Sequence, residues 1–305
     1  MNARRIIIVA VFFVLLIFAV MAGGILRNKP AALNQNLSSK NAESLTIVTT
    51  TYPLYDFTRV VVGEAPGVTV KNLLPLDMGP HDFAPTPETT AIINAASAVI
   101  KNGLGIDAYA DKLIQSGAGR AVIVNTSAGA QTISVNGAPD SHIWLNPKNA
   151  ILQVQHIRDA LAAINPENKN IYEQNAGRYM TLINRLDSEY EQTLEKVSQK
   201  KFVSYHGAFR YLAKRYGLEE SATVVSAPEA EPSAREIALI TKIIKDQKIK
   251  VIFSEPQFTP KIVESLATDL NLQILILDPV ETGGAEDNYL AIMRRNLEAL
   301  KKGLP

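Results

Sequence analysis

The sequence predicts an α/β protein with two βα arrays, each built on a parallel sheet flanked by helices. Three observations carry this expectation. Short β-branched runs alternate with helical spacing from residue 45 to 125. The same alternation resumes at 201 and continues to the C-terminal end. One long amphipathic pattern, about 167–199, separates the two series. At 305 residues the chain is long enough for two domains of ordinary size.

In the first series, LTIVTT (45–50) reads as a strand and 52–63 as a helix, with apolar residues at Leu54, Phe57, Val60 and Val61. A strand over 68–74 ends at Pro75. Thr86-Pro87-Glu88 starts a helix to about Ala96, with Thr as cap and Pro at the first helical position. Residues 98–101 and 121–125 read as strands around a helix at 106–116. Residues 127–141 are polar and Gly-containing, a loop with a small hairpin, and Asn146-Pro147 opens a helix to about Ile164. The long pattern repeats apolar residues at Tyr172, Tyr179, Leu182, Leu186, Tyr190, Leu194 and Val197. A rod of roughly 33 residues would be about 50 Å long, enough to run along two domains. In the second series, strands at 201–205, 223–226, 251–254 and 273–277 alternate with helices at 208–216, 233–246, from Thr259-Pro260, and 287–302. Ser233 and Glu236 form a capping box.

The front end reads differently. Arg4 and Arg5 precede an apolar run, 6–22, extended by Gly23, Gly24, Ile25 and Leu26. Roughly 20 such residues approach the length that spans a bilayer, so 1–27 reads as a cleaved signal sequence or an uncleaved anchor, and 28–44 as a flexible tether. Either reading places the rest outside the cytoplasm.

Composition is that of a globular chain, 47% hydrophobic and 20% charged. A net charge of +1 gives no electrostatic footprint for nucleic acid. With no cysteine, disulfides, thiolate metal sites, a catalytic thiol and a lipid on an N-terminal cysteine are excluded.

Three of the chain's four histidines carry the chemistry. His81 lies in LDMGPHDFAPTP (76–87), a loop stiffened by Pro80, Pro85 and Pro87. His142 lies in DSHIWLNP (140–147) beside Trp144, and His206 ends a strand before Gly207. All three sit at strand ends or in turns ahead of helices, where open parallel sheets bind ligands. Asp278 sits at the carboxyl end of the last strand. Three imidazoles and a carboxylate make a four-ligand site suited to Zn2+, with Mn2+ or Fe2+ as alternatives. His156 falls inside a helix and reads as a surface or packing residue, whereas Glu255 at a strand end reads as a spare ligand or a partner that positions a histidine. The tyrosines of the long pattern read as core, and the lysines of 242–250 as a solvated face.

Five segments, 76–87, 140–147, YHGAFRYL (205–212), FSEPQF (253–258) and ILDPVET (276–282), resemble the zinc- and manganese-binding solute receptors of bacterial ABC importers, the ZnuA and TroA type. The resemblance runs from about Leu45 to the end. It implies two α/β lobes, 45–165 and 201–305, joined by one long rigid helix at 166–200, with the metal in the cleft between them. By motif, His81 and His142 come from the first lobe, and His206 and Asp278 from the second. His206 stands where manganese-type relatives often carry glutamate, which favours Zn2+. Ala84 and Asn146 replace residues that are often acidic, and the His-rich loop of some zinc members is absent. The resemblance further implies a monomeric, non-catalytic receptor held in the periplasm or on the outer face of the membrane. It would deliver its ion to an ABC permease driven by a cytoplasmic ATPase. Two other classes remain open, a surface adhesin with this fold and an exported zinc hydrolase, although neither HExxH nor a nucleophile elbow occurs.

Overall fold

The computed structural model describes residues 44–117, 120–228, 230–256, 261–284 and 287–304. The apolar run and the tether read in 1–43 lie outside the described residues.

The first array contains β1 (Leu45–Thr49), α1 (Tyr52–Val62), β2 (Val68–Asn72), α2 (Pro87–Asn94), β3 (Ala98–Lys101), α3 (Ala108–Gly117) and β4 (Val122–Asn125). Its four strands form one parallel sheet in the order β2-β1-β3-β4. A two-stranded ribbon follows, β5 (Ser134–Val135) and β6 (Ala138–Pro139). It turns on Asn136 and Gly137, whose φ angles of 51° and 85° suit the two residues best able to adopt them. A 3₁₀ turn (Ile143–Leu145) leads into α4 (Pro147–Ile164), capped by the Asn146 side chain on the Lys148 amide.

The long helix α5 (Lys169–Leu194) has 26 residues, about 39 Å at 1.5 Å per residue, and a 3₁₀ turn at Pro166–Asn168 precedes it. It is shorter than its apolar pattern, because Val197 is buried from the turn beyond the helix rather than from another helical turn. Leu182, expected on its buried face, is exposed, and Ile183 takes that place. Tyr172, Tyr179 and Tyr190 are buried as expected of core residues.

The second array contains β7 (Lys201–His206), α6 (Arg210–Arg215), β8 (Glu219–Val225), α7 (Ala234–Gln247), β9 (Val251–Ser254), α8 (Lys261–Leu270), β10 (Gln273–Ile276) and α9 (Tyr289–Gly303). Its sheet is again parallel, in the order β10-β9-β7-β8. Counted within each array, the strand orders are the same: the first strand lies between the second and the third, and the fourth is the outer neighbour of the third. The two halves therefore repeat one topology.

The inner strands of each sheet, β1, β3, β7 and β9, are covered on both faces and largely buried, whereas the edge strands β2, β4, β8 and β10 are partly exposed. Successive side chains point to opposite faces. Ile47 of β1 and Phe202 of β7 enter one central core that both lobes share with α5. Their neighbours Val48 and Val203 enter separate outer cores. The long helix packs on α1, α4 and α9. Asp56 of α1 ties these elements at one point: its Oδ2 accepts from the Tyr179 hydroxyl of α5 and from the Tyr289 amide at the start of α9, each at 3.0 Å. Burial pushes the Asp56 carboxyl above its ordinary pKa. Asp187 of α5 is a second strut. It accepts from Arg215 Nε at 3.0 Å and Nη2 at 2.8 Å, pairs with Lys148 of α4 at 3.0 Å, and accepts from the Tyr216 hydroxyl at 2.9 Å.

Candidate metal centre

The histidine loop after β2 has no regular structure, and a Thr86 capping box starts α2 directly behind it. His142 immediately precedes the 3₁₀ turn, so its backbone is held by the packing of Ile143, Trp144 and Leu145, all fully buried. His206 is the last residue of β7, the inner strand beside which the strand order reverses. A fourth group comes from the turn after β10. There Asp278-Pro279-Val280 sends Glu281 toward the first lobe, with Val280 at φ 61°. The turn is tied to that lobe by the Trp144 indole, which donates to the Pro279 carbonyl at 2.8 Å, and by the Gly283 amide, which donates to the Leu76 carbonyl at 2.8 Å. A Cβ on Gly283 would lie 2.0 Å from the Tyr52 ring, so only glycine fits there.

His81, His142, His206 and Glu281 each present one donor atom, and the four atoms lie within 4.8 Å of one another. Glu281 Oε1 is 3.1 Å from His81 Nε2, 3.1 Å from His142 Nε2 and 3.9 Å from His206 Nε2. The two buried imidazoles approach at 3.5 Å between Nε2 atoms. A tetrahedral ion with bonds of roughly 2.0 Å separates its donors by about 3.3 Å. The cluster therefore has the size of a single small cation.

The ring nitrogens that face away from the cluster are also held. His142 Nδ1 bonds Asp140 Oδ1 at 2.8 Å, and His206 Nδ1 bonds Glu255 Oε1. A carboxylate behind Nδ1 fixes the ring and keeps the Nε2 lone pair for a metal. Asp140 is itself anchored by Arg210 Nη1 at 3.3 Å and by the Tyr211 hydroxyl on its carbonyl at 2.8 Å, both from α6 across the cleft. Glu255 thus takes the positioning part that the sequence offered it. His156 stays apart, at the surface, with its Nε2 3.0 Å from the Ala128 carbonyl oxygen.

Without an ion, the surroundings of His142 favour its protonated form. Burial lowers the pKa of His142, but its bonds to Asp140 and Glu281 outweigh that and bring it up to about 9. Burial opposes ionisation of Glu281, yet bonds from His142 and His81 and the nearby imidazole charge hold its carboxyl well below the usual range. A cation bound at this site would displace the His142 proton.

A family model described as "Zinc-uptake complex component A periplasmic", ZnuA, matches residues 47–303. The chain belongs to the ZnuA family. It is 32% identical to the high-affinity zinc uptake system protein ZnuA of Bacillus subtilis over 288 residues, 88% of this chain and 90% of that protein. It is also 32% identical to the zinc-binding lipoprotein AdcA of Streptococcus pneumoniae over 279 residues. That match takes 85% of this chain but 55% of AdcA, so the chain spans about half the length of that relative. The crystal structure of the Zn(II)-bound ZnuA-like domain of AdcA superposes with a TM-score of 0.76 over 86% of this chain and 99% of the domain, at 32% identity. The laminin-binding protein Lmb of Streptococcus agalactiae, described as bifunctional with adhesin and metal-transporting activity, superposes at 0.78 over 86% of this chain and 100% of its own, at 30% identity.

In this ZnuA-family chain the expected donors are only partly brought together. His81, His142 and His206 meet, but the carboxylate that meets them is Glu281, three residues beyond Asp278. Asp278 is buried but not part of the cluster, and its Oδ1 accepts the Val280 amide at 2.7 Å. Glu281 lies inside the ILDPVET segment, and that acidic residue after the turn was the available signal.

Proposed function

We propose that this chain is an extracytoplasmic Zn2+ receptor that hands its ion to the permease of an ABC importer with a cytoplasmic ATPase, with His81, His142, His206 and Glu281 as the ligands. The single supporting observation is the convergence of three Nε2 atoms and one carboxylate oxygen within 4.8 Å. Zinc favours such a nitrogen-rich, four-donor set. The Zn(II)-bound AdcA domain and the zinc-uptake ZnuA of B. subtilis support the same cargo. Four protein donors fill a tetrahedral shell, which suits capture rather than the open position a hydrolytic zinc needs.

The chain is read as a signal or anchor at 1–27, a tether at 28–44, lobes at 45–165 and 201–305, and a connecting segment at 166–200. It acts as a monomer, with the N-terminal segment bringing the receptor to the membrane. A surface adhesin role is the second reading, favoured by the likeness to Lmb.

Metal analysis of protein purified without chelator, then calorimetric titration of the stripped protein with Zn2+, tests the cargo. One equivalent bound tightly by the natural chain and lost in His206→Ala is expected. Unchanged affinity in that variant would remove His206 from the ligand set. Co-purification with the permease separates receptor from adhesin.

A further inference from the structure

Asp278 is a buried carboxylate that the donor cluster does not include. Its surroundings are built. Its own amide donates to Asn296 Oδ1 at 2.8 Å, and its carbonyl accepts from Asn296 Nδ2 at 2.7 Å, so the peptide is clamped to α9. Its Oδ1 accepts the amide of Val280 at 2.7 Å. Val280 stands at φ 61°, a backbone region that β-branched residues avoid. Such a conformation persists only where neighbours over-determine it. The next residue is Glu281.

We infer that Asp278 is a positioning residue: its carboxylate oxygen pins the Val280 amide and so holds the left-handed turn that aims Glu281 at the ion. The inference rests on reading Glu281 as a ligand. Without the acceptor at 278, Val280 relaxes toward negative φ and the peptide ahead of Glu281 rotates. The role needs an acceptor oxygen rather than a charge, and asparagine supplies one. Asn296 works one step further back, by holding the peptide from which Asp278 reaches.

The test is a double-mutant cycle in zinc affinity on the stripped full chain, with Asp278→Ala, Asp278→Asn, Glu281→Ala and the double variant Asp278→Ala/Glu281→Ala. Competition with a chelator of known affinity supplies the readout. Asp278→Ala should weaken zinc by about 10–100-fold, the usual cost of losing a partner behind a metal ligand, and Asp278→Asn should restore most of it. In the Glu281→Ala background the alanine at 278 should cost almost nothing further, because the two residues act in series. An equal loss in both backgrounds, or no rescue by asparagine, would overturn the inference and point to direct ligation by Asp278. Failure of the natural chain to bind zinc would instead overturn the metal reading on which the inference stands. Should Asp278→Ala not fold, Asn296→Ala loosens the same turn from α9 without touching the carboxylate, and the same dependence on Glu281 is expected of it. Additivity there would be equally fatal.

Discussion

Trp144 donates its indole N–H to the carbonyl oxygen of Pro279 at 2.8 Å, and this bond joins the segment bearing His142 to the turn bearing Glu281. Each partner lies two residues from a donor atom of the cluster. The tryptophan therefore sets the spacing of donors that come from different lobes, and its fully buried ring fills the shared core at the same place.

Replacing Trp144 with phenylalanine keeps an aromatic ring but leaves the Pro279 carbonyl without its donor. The metal-free protein should lose about 1–3 kcal/mol, the cost of an unsatisfied buried acceptor, and zinc affinity should fall with it. Urea unfolding of the stripped protein checks the first effect and chelator competition the second. A stability equal to that of the natural chain would show that the bond does not bridge the lobes in solution.

Glu281→Gln preserves shape and removes the only carboxylate within the donor cluster. Zinc affinity should drop by more than about 100-fold, beyond the range seen for partners that only orient a ligand. The gain in melting temperature on adding zinc should shrink in parallel, because stabilisation follows occupancy by mass action. A variant that binds as tightly as the natural chain would remove Glu281 from the set.

Proton release is the third expectation. In the metal-free cluster His142 has its pKa raised to about 9, so it carries its proton at neutral pH. Zinc must displace that proton, and affinity should rise with pH until the group has titrated. Calorimetry near pH 7 in buffers of different ionisation heat should report release of about one proton, declining toward zero above pH 9. Heats that do not depend on the buffer at pH 7 would contradict the assignment.

Asp187 offers a control away from the metal. Its pKa is opposed by burial but lowered overall by its bonds to Arg215, Lys148 and Tyr216. A carboxylate with a depressed folded pKa contributes stability above its unfolded pKa and loses it as pH falls through the folded value. Asp187→Asn should therefore cost about 1–3 kcal/mol at pH 7 by weakening charged hydrogen bonds to the partly exposed Arg215 and Lys148, and the gap from the natural chain should close in acid. Zinc affinity at pH 7 should not change.

The histidines were legible because the chain has four, and three of them sit at strand ends or in turns ahead of helices. The fourth donor was harder. The strand ends next to Asp278, and period-two reasoning stops there. The direction of Glu281 depends on a positive φ at Val280, and valine is a residue type that announces no such turn. The long helix shows a related limit. Its apolar spacing continues to Val197, which is buried, so the pattern records contact with the core and not the place where α5 ends. The shared topology of the two sheets was invisible, because equal strand order needs no equal sequence.

The unequal burial of the donors bears on how an ion travels. The side chain of His81 is 23% exposed, against 9% for His142, 2% for His206 and 6% for Glu281. The two lobes share one core and are strapped by Asp56 and Asp187, so opening them wide would tear apart the centre of the molecule. The donor on the proline-bound loop is the one most open to solvent. An ion reaching the cluster from solvent would meet the His81 imidazole first.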